Sequence, residues 1–291
     1  MPGAQHRRQA GIDFLVQRSI GSPDVVVAVI DGPVSAHPDL STPATLRTAV
    51  DDPSADVGDT AHGTFITGIL AASRESAAPG LCPGCSFLSS PVFIAPGDAV
   101  GRMSTSPAQL AAAITMCVDA GAHLINLSVA TTGTTQRPCE ELRSALSFAA
   151  SRRCLVVAAA GNNGTLFSNV ITQHPWVLPV TALGDDGRPL RRANLGAGVG
   201  SRGVAAPGER VTSLAPGGMY AIGSGTSAAA AVVTGTLALL RSVVPSASAP
   251  RLRDAIVRGA HRLGPVSVIP PSMHGLSTYR LLEEQHLSPT V

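Results

Sequence analysis

The sequence predicts an α/β fold, a doubly wound and mostly parallel sheet with helices on both faces. Short apolar runs alternate with helical patterns along the 291 residues, and these runs lack the apolar–polar alternation of half-exposed strands. Hydrophobic residues make up 44% of the chain and charged residues 14%, so a large core can form and disorder is excluded. Because aromatic residues make up only 3%, we expect that core to consist of Ala, Val, Leu and Ile.

Five apolar segments have the composition of strands that are buried on both faces of a sheet. Each of them is rich in β-branched or aliphatic residues. They are Val25–Ile30, Ser86–Phe93, His123–Val129, Cys154–Ala160 and Trp176–Leu183.

Four further segments have helical patterns. They are Pro107–Ala120, Cys139–Arg153, Thr226–Val244 and Ala249–Gly259. The first follows Ser106, a favourable N-cap residue, and the second has acidic residues in its first turn and arginines in its last. Strands that alternate with helices imply right-handed crossovers in one parallel sheet. With no internal repeat and no long linker, we expect a single domain over residues 1–291, its core at about residues 20–260.

Composition also indicates where the protein acts and which partners it lacks. The formal net charge of +2 gives no sign of a nucleic-acid surface. Met1–Ala10 lacks the apolar run of a secretory signal. Ala228–Leu240, the most apolar helical candidate, is shorter than the ~20 residues that span a bilayer. We therefore expect a cytoplasmic protein with neither nucleic-acid nor membrane partners.

The five cysteines, an odd number, argue against an extracellular disulfide framework. They are Cys82, Cys85, Cys117, Cys139 and Cys154. Cys82 and Cys85 have the spacing of a redox or zinc pair, but no second such pair supplies the two further ligands that zinc needs. A turn with small buried thiols and a structural disulfide are the two alternatives, and Cys85 with Cys117 is one possible pairing.

Polar residues follow the predicted strands at their carboxyl ends, where function gathers in a parallel sheet. Asp31 directly follows the first strand, Ser128 lies at the end of the third, and Asn162 comes shortly after the fourth. His62 precedes an apolar, helix-like run, and Ser227 lies where a glycine-rich turn enters a helix. The first turn of a helix has unpaired N–H groups that stabilise developing negative charge. Each residue alone has a structural interpretation, as a cap or turn residue.

Six short motifs place these residues in a recognisable order. They are Ile30-Asp31-Gly32, His62-Gly63-Thr64, Asn126-Leu127-Ser128, Ala160-Gly161-Asn162, Ala205-Ala206-Pro207-Gly208 and Gly225-Thr226-Ser227. Together they resemble the successive signatures of the subtilisin-like serine peptidases, over roughly residues 20–245. The order Asp, His, Ser is one of several in which the same triad geometry arises.

A second set of segments resembles a subgroup, the peptidases that process cyanobactin precursors. These segments are Asp31-Gly32-Pro33-Val34, Leu81-Cys82-Pro83-Gly84-Cys85, His174-Pro175-Trp176-Val177, Gly187-Arg188-Pro189-Leu190 and Asn194-Leu195-Gly196. The resemblance implies removal of the leader from a ribosomally made peptide precursor. Macrocyclases of the same systems resemble this fold with a capping insertion near the His. The connection Gly32–Ala61 leaves little room for such a cap, so hydrolysis is favoured over cyclisation.

The family resemblance implies a role for each motif residue. Ser227 is expected to be the nucleophile, His62 the general base and acid, and Asp31 the group that orients the imidazole. Asn162 is expected to hold the oxyanion together with the Ser227 N–H. The backbone of Leu127, Ser128, Val129 and Ala130 is expected to pair with an extended peptide substrate. Ala159, Ala160 and Gly161 are expected to form a wall of the pocket for the residue before the cut.

The chain departs from the family pattern at four positions and in one segment. Phe65 replaces a usual His, Ala228 and Ala231 replace a usual Met and Pro behind Ser227, and Ala130 stands where Gly is common. We also expect no autoinhibitory prodomain before the catalytic part, since only about 20 residues precede the first predicted strand. No cofactor is expected to be required, and no acidic loop with calcium-ligand spacing is evident, although structural calcium stays open.

Two other functions stay open at this point. A cytoplasmic endopeptidase of broad specificity fits the same motifs, and a pseudopeptidase that only binds peptides fits the changes at Ala228 and Ala231. The sequence does not determine the oligomeric state.

Overall fold

The computed structural model describes residues 7–8, 10–40, 46–48, 59–92, 105–129, 139–166, 169–262 and 267–287. Its main sheet has seven strands, and every neighbouring pair is parallel. They are β1 (Val26–Asp31), β2 (Leu46–Thr48), β3 (Ser86–Pro91), β4 (Leu124–Leu127), β5 (Leu155–Ala159), β6 (Leu178–Leu183) and β7 (Val204–Pro207). Their spatial order is β2-β3-β1-β4-β5-β6-β7. The predicted doubly wound, mostly parallel sheet is therefore confirmed.

The five predicted strands correspond to β1, β3, β4, β5 and β6, each within a few residues of its predicted bounds. The short strands β2 and β7 were not predicted. A separate antiparallel hairpin of β8 (Val211–Ala215) and β9 (Met219–Gly223) was not predicted either. Its turn, Pro216–Gly218, is a hairpin signal between two apolar runs that could have revealed it.

The described helices surround this sheet. They are α1 (Asp13–Arg18), α2 (Ala61–Ala71), α3 (Pro107–Asp119), α4 (Glu140–Ser151), α5 (Val170–Gln173), α6 (Ala197–Arg202), α7 (Thr226–Val243), α8 (Ala249–Arg258) and α9 (Gly275–Leu287). The four predicted helices correspond to α3, α4, α7 and α8 within two residues at each end. The expected N-cap of α3 is confirmed, since the Ser106 hydroxyl accepts a hydrogen bond from the Gln109 N–H at 3.1 Å.

Two hydrophobic cores lie on opposite faces of the sheet, because successive strand residues point to opposite sides. Val27 and Val29 of β1 belong to the core that α2 and α7 cover. Ala28 and Ile30 belong to the core that α3 and α4 cover. Both cores consist largely of Ala, Val, Leu and Ile, as the composition predicts.

Helix α7 is the central helix of the fold and carries Ser227 in its first turn. By length and composition it is apolar enough to cross a membrane, but 78% of it is buried inside the fold. The hydroxyl of Thr234 on this helix donates to the buried Asn126 Oδ1 on β4 at 3.0 Å. This bond fixes α7 against β4, the strand that Ser128 follows.

All five cysteines are free thiols, which confirms the buried-thiol alternative. The pairing of Cys85 with Cys117 is wrong because the two thiols pack in cores on opposite faces of the sheet. A hydrogen bond between Cys82 and Cys85, together with burial, raises the pKa of Cys82, and the same bond lowers the pKa of Cys85. Among the described residues, no group of three or more His, Cys, Asp and Glu side chains surrounds a potential metal position.

Candidate active site

Asp31 and His62 form a direct hydrogen bond at the carboxyl end of β1. The His62 Nδ1 donates to Asp31 Oδ1 at 2.6 Å, and the Gly32 N–H donates to the same oxygen at 2.6 Å. Asp31 is fully buried, whereas 41% of the His62 side-chain surface is exposed. A buried carboxylate is stable only when it is paired, so the two residues depend on each other.

The start of α2 brings His62 to Asp31 because Gly63 packs directly on the chain after β1. A Cβ atom on Gly63 would lie 2.2 Å from the Gly32 carbonyl oxygen, which excludes any other residue at this position. Thr64 then ties the two segments together, since its hydroxyl accepts a hydrogen bond from the Ser35 N–H at 2.8 Å. The His-Gly-Thr motif therefore supplies the imidazole and also holds the start of α2 against the segment that follows β1.

Ser227 is the second residue of α7, where the backbone N–H has no partner within the helix. The N-cap residue, Gly225, has φ +151°, and a Cβ atom there would lie 3.1 Å from the side-chain amide of Asn162. The Gly225 N–H donates to the Gly208 carbonyl at 2.8 Å, which explains the Ala-Ala-Pro-Gly motif after β7. These contacts fix where Ser227 enters the helix.

Asn162 is oriented by Thr226, the neighbour of Ser227. Its Oδ1 accepts hydrogen bonds from the Thr226 N–H at 2.9 Å and from the Thr226 hydroxyl at 3.2 Å. Because a backbone N–H needs an acceptor, this contact identifies the oxygen of the amide. The Nδ2 protons have no hydrogen-bond partner among the described residues and can donate to a group in the cleft that Asn162 and Ser227 both line.

Asn194 holds the loop that carries Asn162, a role that the sequence did not predict. Its Oδ1 accepts from the N–H groups of Asn163 at 2.9 Å and Thr165 at 3.2 Å, and its Nδ2 donates to the Ala160 carbonyl at 3.0 Å. Its backbone N–H donates to the Gly161 carbonyl at 2.8 Å. The side chain is 8% exposed, so these bonds are shielded from water. The only sequence signal was its place in a subgroup-like segment.

The subtilase family model matches residues 22–277. The chain belongs to the subtilase family. Subtilisin Savinase of Lederbergia lenta is 31% identical over 248 residues, which is 85% of this chain and 87% of that protein. The alkaline protease of Alkalihalobacillus alcalophilus is also 31% identical, but the matched part spans 62% of its length. The predicted family is confirmed, and the chain is a subtilisin-like serine peptidase.

Solved structures of related proteins share the fold of this subtilase. A mutant of the protease domain of PatA is 32% identical, with a TM-score of 0.81 over 92% of this chain and 98% of that chain. The prenylagaramide maturation protease PagA is 27% identical, with a TM-score of 0.83 over 97% of this chain and 99% of that chain. A PatG macrocyclase in complex with peptide is 21% identical, which supports the fold alone.

The Ser–His contact of the predicted triad is not formed in this structure. The Ser227 hydroxyl donates to the Ser128 carbonyl at 3.3 Å instead. His62 and Ser227 nevertheless line the same cleft of about 440 Å³, together with Asn162. Catalytic hydrogen bonds often tighten only when substrate is bound.

The β4 end of the predicted substrate site is buried. Leu127 and Val129 are at most 3% exposed, so only the backbone of this segment can meet a peptide. The Ser128 N–H lies 3.4 Å from the Ile30 carbonyl, and none of these three residues lines the cleft of His62 and Ser227. Ala130, also expected there, lies outside the described residues.

At the β5 end of the predicted substrate site, backbone N–H groups already form hydrogen bonds to other residues of the chain. The Ala160 N–H donates to the Val180 carbonyl at 2.9 Å, and the Gly161 N–H donates to the Thr226 hydroxyl at 3.1 Å. Ala159 and Ala160 are both 2% exposed. These three residues can form a wall, as expected, but they have few backbone groups left to bind a substrate.

Charge around His62 favours its protonated form. Burial lowers the pKa of His62, but the charge of Asp31, the hydrogen bond that His62 donates to Asp31 and the charge of Asp59 together raise that pKa above its ordinary value. Asp59 lines the same cleft and was not among the predicted site residues. The environment of the imidazole thus matches that of a base that must hold a proton temporarily.

The departures from the family pattern are accommodated in the described part of the chain. Ala228 and Ala231 are buried at 2% and 0% exposure, and α7 begins at Thr226, directly before Ser227. Phe65 lines the catalytic cleft, and a Cβ atom on Gly223 of the hairpin would lie 2.7 Å from its ring. Phe65 therefore closes the cleft against β9.

Proposed function

We propose that this subtilase removes the leader from a ribosomally made peptide precursor by hydrolysis. The observation that carries the proposal is its similarity to the maturation proteases PatA, 32% identical, and PagA, 27% identical, over more than nine-tenths of this chain. The segments that resemble cyanobactin-processing peptidases support the same substrate class.

The proposed mechanism begins with rotation of the Ser227 hydroxyl from the Ser128 carbonyl towards the Nε2 of His62. As Ser227 Oγ attacks the scissile carbonyl carbon, His62 takes the hydroxyl proton and Asp31 stabilises the resulting imidazolium. The carbonyl oxygen, now negatively charged, accepts hydrogen bonds from the Ser227 N–H and the Asn162 Nδ2.

His62 then donates its proton to the leaving amine, the C–N bond breaks, and an acyl-enzyme remains on Ser227. A water molecule, deprotonated by His62, attacks the ester carbonyl. The acid product leaves as Ser227 recovers its proton, so the enzyme returns to its starting state. No cofactor takes part in these steps.

The proposed substrate is an extended peptide that pairs with the backbone of residues 127–130 as an added strand. Ala159, Ala160 and Gly161 contribute the facing wall for the residue before the cut. The proposed compartment is the cytoplasm, a choice supported by five cysteines that all remain free thiols.

Mass-spectrometric mapping of cleavage tests this proposal, with a library of precursor-like peptides, casein as a general substrate and Ser227→Ala as the control. We expect linear products cut at one position between leader and core, and no products from Ser227→Ala. A cyclic product from a matched precursor would overturn hydrolysis as the outcome. Efficient cleavage of casein at many sites would favour the broad-specificity alternative.

A further inference from the structure

A second cleft lies on the other side of Asn162 from the nucleophile. It has a volume of about 680 Å³ and is lined by Asn162, Asn163, Gly164, Arg191 and Arg192. Asn162 also lines the cleft of His62 and Ser227, so the two clefts share one residue as a common wall. A peptide that extends from the scissile bond past Asn162 therefore enters a space with two arginines.

The backbone that carries both arginines is tied to the Asn162 loop. The Gly164 N–H donates to the Arg192 carbonyl at 2.8 Å, and the Leu195 N–H donates to the Thr165 carbonyl at 2.9 Å. Between these two bonds, Asn194 adds the contacts described above. The backbone positions of Arg191 and Arg192 are consequently fixed relative to Asn162, the proposed oxyanion donor.

Both guanidinium groups are free to bind an anion. Arg191 and Arg192 are exposed, and neither forms an ion pair with any described residue. The second cleft has no carboxylate in its lining. By contrast, Arg258 is paired with Asp254 at 3.2 Å. Two adjacent, unpaired guanidinium groups favour a carboxylate, which matches their planar donor geometry.

We propose that Arg191 and Arg192 form a cationic subsite that selects peptides with Asp or Glu within about three residues of the scissile bond. Three extended residues span about 10 Å. A peptide of that length can reach from the cleft of Ser227 into the adjacent second cleft, because the two clefts share Asn162. The inference rests on the proposed peptidase function and specifies its substrate: a precursor with an acidic side chain close to the cleavage site.

The test uses pairs of N-acetylated, C-amidated peptides that differ by Asp against Asn at one position near the cut. Blocked termini leave the side chain as the only carboxylate. We expect kcat/KM to favour Asp about three- to fivefold at one position, the size of an exposed ion pair. The preference is expected to weaken as salt is raised and to vanish in the double variant Arg191→Gln, Arg192→Gln.

Arg188→Gln is the matched control, because Arg188 belongs to the same connection between β6 and β7 but lines a different cavity. It removes one positive charge without changing the lining of the second cleft, and we expect it to keep the Asp preference. An Asp-to-Asn ratio near one in the wild type would overturn the subsite. An equal loss of the preference in Arg188→Gln and in the double variant would overturn it as well.

A binding measurement separates failure of the subsite from failure of the proposed function. Fluorescence anisotropy of the same peptides on Ser227→Ala reports binding without cleavage. A preference for Asp that is lost in Arg191→Gln, Arg192→Gln supports the subsite even if the wild type cleaves none of the peptides. Cleavage of the peptides without any preference for Asp, in rate or in binding, rejects the subsite and leaves the peptidase function intact.

Discussion

Two polar networks border the cleft that Ser227 lines, and they are built differently. On one side, Asp31 and His62 share a single 2.6 Å hydrogen bond between a fully buried carboxylate and a partly exposed imidazole. On the other side, Asn162 lies on a loop that is bonded to Asn194 and Thr226 through several hydrogen bonds of 2.8 to 3.2 Å.

The difference indicates that the protein relies on charge at one side of the nucleophile and on fixed geometry at the other. A charge pair with one bond has no substitute when a partner is lost. A loop with many bonds keeps part of its shape when one bond is removed. The two networks should therefore respond differently to substitution.

The largest effect is expected from Asp31→Asn. The amide cannot stabilise the imidazolium and favours the wrong tautomer of His62, so kcat should fall about 10⁴-fold, as in other serine-peptidase triads. Peptide hydrolysis gives the rate, and circular dichroism shows whether the variant is folded. A fall of less than tenfold in a folded variant would show that the Asp31–His62 pair is not the charge network of the reaction.

Asn162→Ala is expected to lower kcat about 10²–10³-fold, the loss seen when subtilisin, a relative of this chain, is deprived of such a donor. KM should change little, because the oxyanion exists only after attack. Asn163→Ala is the matched control, since Asn163 bonds to Asn194 through its backbone N–H alone. An equal loss of kcat in both variants would mean that loop shape, not the Asn162 amide, causes the effect.

Asn194→Ala tests the geometric side of the comparison directly. It leaves two N–H groups and one carbonyl without their partner, so we expect the free energy of unfolding to fall by about 1–3 kcal/mol. A displaced Asn162 should lower kcat about tenfold, less than removal of Asn162 itself. Thermal unfolding and steady-state kinetics measure the two effects. Unchanged kcat in a destabilised variant would limit Asn194 to a structural role.

The smallest effect concerns the pH dependence of the charge network. Since the pKa of His62 is raised above its ordinary value and the base must be neutral, kcat/KM should rise with pH through a midpoint above 6.5. Asp59→Asn removes a charge that raises this pKa, so the midpoint should move to lower pH. A midpoint that stays in place, or moves upward, contradicts the electrostatic role of Asp59.

The sequence predicted the parts of the site that are encoded in short motifs. Asp31, His62, Asn162 and Ser227 each belong to one, and the parallel sheet brings their motifs to a common rim. The role of Asn194 in holding the Asn162 loop could not be predicted, because it depends on contacts with residues about thirty positions away in sequence. The arrangement of the Ser227 hydroxyl on the Ser128 carbonyl also depends on a side-chain rotation that no motif specifies.

The pairing of Cys85 with Cys117, one of the alternatives left open by the sequence, is wrong for a related reason. Spacing along the chain does not reveal the face of the sheet on which a buried side chain packs, and Cys85 and Cys117 lie on opposite faces. The hairpin of β8 and β9 escaped prediction because its strands are short and its second strand is largely exposed. Local patterns thus predicted the layers of the fold better than the contacts between distant segments.

Labelling with a fluorophosphonate tests the central claim most directly, because this reagent reacts with an activated serine. Intact mass and peptide mapping of the wild type should show one modification per chain, on Ser227. The modification should be absent from Ser227→Ala and strongly slowed in Asp31→Asn. Absence of labelling in the folded wild type, or labelling that persists in Ser227→Ala, would contradict the triad and favour a protein that only binds peptides.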